Sequence, residues 1–286
     1  MARMDEKVIR EAAREATRRL REDCPKLLNL LGRVLDANKG TATDREWYTE
    51  GLANKFFDHA FFALYLSQGP NTLNFPSRAV KLSGVASIDV LTRAAFEAFL
   101  TFHYVFYTPK IVEDQNYRYW AYRLAGFMER QDIPGYTDEH KQKLLDEKKA
   151  IEDFRNKLNS NPIFKRLPQK QKNKVSKGNW KLSSWSDIAK EAKLSRMLAS
   201  DMYSHLCGYA HSSSLSVLQI KQAYEKHEEE LLIESSKIVV SIVAANMIHE
   251  YCELFKRSKD VLNQDQEGMK LVDLWVKVGR GLRPYQ

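Results

Sequence analysis

Between Gly84 and Tyr107 the chain is apolar on nearly every side of a helical wheel, so this segment is stable in water only if other elements surround it. Thr108-Pro109 stops it, because a proline disfavours helix at the residue before it. Such a helix needs amphipathic partners, and the rest of the sequence supplies them at helical spacing. No run shows a convincing two-residue strand alternation, and no Asn-Gly or Asp-Gly pair signals a hairpin. The expected fold class is all-α: a multi-helix bundle with a charged helical and basic insertion.

The partners can be read in order. Residues 4–38 predict a helix broken or kinked near Cys24-Pro25, ended by Lys39-Gly40. Thr43 and Glu46 have the spacing of a capping box, which starts an aromatic-rich helix running to about Gln68. A further helix covers 112–130, Ile133-Pro134-Gly135 turns the chain, and a charged helix follows from Thr137 to about Asn159. Two short helices are expected near Ser186 to Ala192 and Ser195 to Ala210, then a long one from about Gln222 to Lys256, and an amphipathic segment from Gly268 to Val278. The segments group as 1–42, an N-terminal helical segment; 43–136, the first half of the core; 137–186, the insertion; and 187–286, the second half of the core. One compact domain would hold them all.

Charge is concentrated in the insertion. From Phe154 to Ser186 there are nine of the chain's 45 Lys and Arg residues and none of its 37 Asp and Glu. Lys165, Arg166, Lys170, Lys172, Lys174, Lys177 and Lys181, with Phe164 and Trp180 among them for stacking, form a candidate nucleic-acid-binding element. A solvated lysine-rich loop is the plainer alternative, although such loops ordinarily mix signs. Cys24, Cys207 and Cys252 are far apart and in no C-x-x-C pattern, which fits a reducing compartment. Met1 to Arg21 is too charged for a signal peptide, and the apolar run Ile238 to Ile248 falls short of the ~20 residues that cross a bilayer. The expectation is a soluble cytoplasmic protein without a membrane partner.

Two polar clusters interrupt the apolar pattern. Asp89, Arg93 and Glu97 lie at i, i+4 and i+8 on one face of the 84–107 helix, and Tyr104 returns to nearly the same angle. Charge placed there must be paired or must open onto a cleft, since burying an isolated ion costs several kcal/mol. The ladder is therefore either an internal ion-pair network or a pocket in which Arg93 binds an anion and Glu97 orients it. The second cluster is Tyr203-Ser-His205-Leu-Cys207-Gly208-Tyr209-Ala-His211-Ser-Ser-Ser. Here Gly208 would admit another backbone, the central helix being the natural one, and His211 sits where a helix should end. Hydrogen-bonded core residues are the alternative reading of Tyr203 and His211.

Arg93-x-x-x-Glu97, Trp180, Trp185-Ser-Asp-Ile-Ala, Tyr203 and Tyr209-Ala-His211-Ser together resemble an uncharacterised bacterial family of helical proteins, known only as a domain of unknown function, over roughly residues 45 to 250. The resemblance marks Arg93, Glu97, Tyr203 and His211 as the recurring polar positions. The layout is also similar to that of the HEPN superfamily, dimeric helical bundles that often act as metal-independent RNases in toxin and antiviral systems. That resemblance implies a catalytic set of Arg93, Glu97, Tyr203 and His211, with Arg93 stabilising phosphate charge and His211 as general acid or base, a role suited to an unperturbed pKa of ~6.5. The departure is that HEPN nucleases carry Arg and His close together on one helix, whereas here the centre must be assembled between helices.

No cofactor or metal motif is present: there is no Walker loop, nucleophile elbow, H-E-x-x-H or cysteine knuckle. The leading expectation is a nucleic-acid-directed effector of a bacterial defence or toxin system that cuts RNA. The alternative is a non-catalytic module that senses a small anionic ligand or docks a partner protein. Aromatic helices and amphipathic ends also point to oligomerisation, with a homodimer as the simplest form.

Overall fold

The computed structural model describes residues 22–38, 40, 43–69, 84–281 and, as backbone, the strand residues 71–75 and 78–82. It is all-α, as the apolar and amphipathic periodicities require. The helices are α1 (22–36), α2 (Asp44–Ser67), α3 (Val85–Phe102), α4 (Val112–Gln131), α5 (Asp138–Ser160), α6 (Pro162–Arg166), α7 (Gln169–Ser176), α8 (Trp185–Glu191), α9 (Tyr203–Ala210), α10 (Ser214–Lys226), α11 (Glu229–Leu254), α12 (Lys256–Gln264) and α13 (Gln266–Gly279). Two π-helical turns, His103–Tyr107 and Met197–Met202, follow α3 and precede α9.

The chain divides into two compact units, one made of Met1–Leu100 with Ala189–Gln286 and the other of Thr101–Ile188. The segment 137–186 falls inside the second.

In the first unit α11 carries an unbroken run of buried residues from Val239 to Ile248. It packs on α2, α10, α12 and α13. Close approach to α13 depends on Gly279, where a Cβ would lie 2.6 Å from Ile242 Cγ2. By length and hydropathy α11 is the one helix among the described residues that could cross a membrane, yet 67% of its apolar window is buried, as in the core helix of a folded unit. The Thr43–Glu46 capping box forms as its spacing predicts. Thr43 Oγ1 accepts from the Glu46 amide at 3.2 Å, and Glu46 Oε2 accepts from the Thr43 amide at 3.1 Å.

Three local expectations change. A two-stranded antiparallel hairpin, β1 (Asn71–Phe75) with β2 (Arg78–Leu82), joins α2 to α3 and pairs Leu73 with Val80. Its strands are separated by Pro76-Ser77, not by the Asn-Gly or Asp-Gly that signals a hairpin. The long helix expected over 222–256 is three helices, because His227 is left-handed at φ 57° and Phe255 is extended at φ −124°, ψ 113°. Neither break carries the Gly or Pro that would have announced it. Residues 22–36 are continuously helical through Pro25, and the remainder of the 4–38 reading, residues 4–21, lies outside the described residues.

In the second unit α4 and α5 pack against each other, and the insertion folds onto them. Phe164 of α6 and Val175 of α7 are buried with Tyr117, Leu124, Ile151 and Leu158 in one apolar cluster. Asn161 pins the start of α6: its Oδ1 accepts from the Ile163 and Phe164 amides at 2.8 and 3.2 Å, and its Nδ2 donates to the Glu113 carbonyl at 2.8 Å. The insertion is thus a mixture of short helices and loop, anchored on α4 and α5 by its buried apolar residues.

Candidate functional site

Arg93 and Glu97 stand one turn apart on α3, where i, i+4 neighbours face each other. The Arg93 Nε and Nη2 atoms both approach the same carboxylate oxygen, Glu97 Oε1, at 3.0 and 2.9 Å. The Tyr203 hydroxyl, from the start of α9, donates to that oxygen as well, at 2.8 Å. Three donors on one oxygen fix the guanidinium in place and leave its Nη1 side turned away from Glu97. That nitrogen meets His211 Nε2 at 3.2 Å. A guanidinium only donates, so this contact is a hydrogen bond in the tautomer whose Nε2 carries the lone pair and accepts. All four residues singled out from the sequence converge, drawn from α3, α9 and the turn after α9.

The environment grades from sheltered to open. The side chains of Arg93 and Glu97 are 18% and 28% exposed, Tyr203 is half-buried, and His211 is exposed. Burial raises the Tyr203 pKa far above the usual phenol range, and Glu97 and Cys207 raise it further, so the hydroxyl remains a proton donor. Burial works against the charge of Arg93, but Glu97, Cys207 and Tyr203 outweigh it and hold its proton more tightly than usual. The Tyr203 ring is steadied by Phe96, edge to face at 6.0 Å.

His211 is placed by a tight connection between α9 and α10. It caps α9, its amide donating to the Cys207 carbonyl at 3.0 Å. Ser212 then turns left-handed at φ 51°, and Ser213 caps α10 by accepting from the Ser216 amide at 3.2 Å. Gly208 makes this turn possible, since a Cβ there would sit 3.0 Å from Ser213 Oγ. The close neighbour expected at Gly208 is therefore this serine and not the central helix.

The four-rung ladder does not survive as one stripe. Asp89, 2% exposed, turns to α11 and accepts from Ser236 Oγ, while its Oδ2 has no hydrogen-bond partner among the described residues. Burial raises its pKa to about 6, against the lowering effect of Ser236. Tyr209 interacts electrostatically with Asp89 and is pushed to about 12, chiefly by burial. Tyr104 belongs to the π-helical turn, where the wider winding breaks the 100° phase, and it packs under the Arg118 guanidinium at 4.3 Å and beside Trp180 at 5.9 Å. Only Arg93 and Glu97 of the ladder join the cluster.

Cys207, one turn after Tyr203 and read from the spacing as sharing its helix face, does interact with Tyr203, and it stands outside the four-residue candidate set. The described residues hold no group of three or more His, Cys, Asp and Glu side chains placed to share a metal ion.

The insertion's cations lie on two helices and the strand of loop after them. Lys165 and Arg166 are on α6, Lys170, Lys172 and Lys174 on α7, Lys177 caps α7, and Lys181 follows with its ammonium 4.3 Å over the Trp185 ring. Lys172 and Lys181 are half-buried and the other five are exposed. Phe164, expected to stack on bases, is only 4% exposed and serves the core instead. Trp180 is half-buried, held edge to face by Tyr122 and Trp185 at 5.4 and 6.0 Å.

No curated protein and no solved structure matches the chain. Residues 82–228, which include Arg93, Glu97, Tyr203, His211 and the whole insertion, match the model of a family of unknown function (DUF5677), and the chain belongs to that family.

Proposed function

We propose that this chain is a nucleic-acid-directed protein that cleaves RNA without a metal at the Arg93, Glu97, Tyr203 and His211 centre. The observation that carries the reading is the exposed His211 Nε2, an acceptor 3.2 Å from a guanidinium whose opposite edge is locked by Glu97. In this reading the His211 Nε2 takes the proton of an RNA 2′-hydroxyl as that oxygen attacks the adjacent phosphorus. Arg93 Nη1 exchanges its contact with the imidazole for a non-bridging phosphate oxygen and stabilises the charge that builds there. The bond to the 5′-oxygen breaks, and the imidazolium returns the proton to that oxygen. One strand ends in a 2′,3′-cyclic phosphate and the other in a 5′-hydroxyl. Glu97 and Tyr203 position Arg93 and take no proton.

The basic insertion binds the RNA backbone, and its contribution falls with salt. A cytoplasmic effector role in bacterial defence or toxicity, with a homodimer as the working form, goes with this reading. The three free cysteines, two of them buried, suit the reducing compartment it requires.

A labelled RNA and the DNA of the same sequence, incubated with the protein in excess chelator, test the chemistry. RNA cut to cyclic-phosphate ends with the DNA intact supports the mechanism; a requirement for a divalent ion sinks it. One observation favours a second reading, a non-catalytic anion sensor: Glu97 already neutralises Arg93, which suits reversible binding. An RNA or nucleotide ligand that raises the melting temperature only when Arg93 is present, with no cleavage, would select that reading.

A further inference from the structure

The second unit contains a cleft of about 760 Å³, within the size range of small-molecule sites. Two facing helical stripes build it. On α4, Ala125, Met128, Glu129 and Asp132 lie at i, i+3, i+4 and i+7; on α5, Lys148, Ile151, Glu152 and Arg155 repeat the same spacing. Each stripe therefore puts apolar side chains on the floor and charged ones on the rim. The loop from Lys177 to Lys181 closes one end, with Gly178 left-handed at φ +86° directly above Met128 and Ala125.

The rim is divided by charge. Glu129, Asp132 and Glu152 supply carboxylates, and Lys148, Arg155, Lys177 and Lys181 supply cations. The side chains of Glu129, Asp132, Glu152, Lys148, Arg155 and Lys177 make no ion pair or hydrogen bond among the described residues, although opposite charges share one rim. Trp180 lines the same cleft, and its indole N–H makes no hydrogen bond among the described residues. The run of 33 residues without an acid thus meets its acids in space, on α4 and α5.

We propose that this cleft binds one nucleotide and prefers guanine: the cations take the phosphate, the Trp180 end holds the base, and a carboxylate accepts from the paired N1–H and N2–H donors of guanine. A phosphate alone would not need the acids, and an uncharged base would not need the lysines. Adenine and uracil do not offer that adjacent pair of donors, so the carboxylates discriminate against them by leaving their own charge unmatched. The cleft shares no residue with the Arg93 centre, and neither proposal depends on the other.

Calorimetric titration of the full chain with GMP, AMP, CMP and UMP tests it. GMP is expected to bind at least about tenfold more tightly than UMP, the low end of what a bidentate base contact discriminates. The double variant R155Q/K177Q should weaken all four nucleotides about equally, and E129Q/E152Q should reduce the GMP preference to within about twofold. A triple change of exposed cations outside both the cleft and the insertion, K226Q/K256Q/K270Q, should leave GMP affinity unchanged. Titration of His211→Ala with single-stranded oligonucleotides containing GG or UU distinguishes the sources: tighter binding of the GG strand than of GMP identifies a strand as the ligand, and the reverse identifies free nucleotide. Equal affinity for GMP and UMP, or GMP binding unchanged in both cleft variants, overturns the proposal, and it does so whether or not the chain cuts RNA.

Discussion

Asp89 gives the sharpest quantitative test of how the helices around the Arg93 centre are held. Its carboxylate is 2% exposed, has one hydrogen bond from Ser236 and leaves Oδ2 unpartnered, and burial raises its pKa from 3.8 to about 6. At ~1.4 kcal/mol per tenfold change in proton affinity, that corresponds to ~3 kcal/mol. The folded chain keeps a proton on Asp89 that the unfolded chain releases between pH about 4 and about 6. This contribution is therefore fully present below pH ~4 and lost as pH rises through ~6. Asp89→Asn keeps an oxygen for Ser236 and removes the titration. Urea denaturation of both proteins at pH 4 and pH 8 should show the variant gaining ~3 kcal/mol relative to wild type across that interval, whatever its stability at either pH. Because the comparison is a difference of differences, carboxylates common to both proteins cancel. Parallel stability curves would refute the reasoning, since they would mean that Asp89 is solvated or compensated in the folded state.

Three further outcomes follow from the geometry. Gly279→Ala should destabilise the chain by ~1–3 kcal/mol in urea, because a Cβ 2.6 Å from Ile242 Cγ2 forces α13 and α11 apart. Tyr203→Phe removes a 2.8 Å donor from the Glu97 carboxylate, with an expected loss of ~1–2 kcal/mol in stability and a larger relative loss in cleavage rate as Arg93 gains freedom. Neutralising Lys170, Lys172, Lys174 and Lys177 to Gln should lower RNA affinity and reduce the slope of log affinity against log salt by ~0.7 for each phosphate contact removed; an unchanged slope would reduce the basic insertion to a solubility feature.

What the sequence made legible was local chemistry at fixed helical spacing. Thr43 and Glu46 form their capping box, and Arg93 and Glu97 pair, because three- and four-residue separations on a helix are set by its winding alone. The meeting of Arg93 with His211, 118 residues away, was inferred from residue types and a family resemblance, since no periodicity encodes it. Where winding departs from 3.6 residues per turn the reading fails: the π-helical turn at His103–Tyr107 swings Tyr104 out of the ladder towards Arg118. Left-handed His227 splits the expected long helix without a glycine to mark it. The insertion was read by its charges, so the anchoring work of Phe164 and Val175, two apolar residues in a basic stretch, went unnoticed. Its neighbouring acids were invisible for the same reason, as they belong to α4 and α5 and meet the lysines only in space.

One comparison decides whether the four converging side chains do chemistry. Single-turnover cleavage of a labelled RNA in chelator should be compared for wild type, Arg93→Met and His211→Ala, each first shown by circular dichroism to keep its helix content. Either change should slow cleavage at least ~100-fold, the usual scale for losing a positioned acid–base group or an electrostatic stabiliser of the transition state. Cleavage that persists at the wild-type rate in both variants would contradict that expectation and leave Arg93, Glu97, Tyr203 and His211 as an ion-pair network that joins α3 to α9.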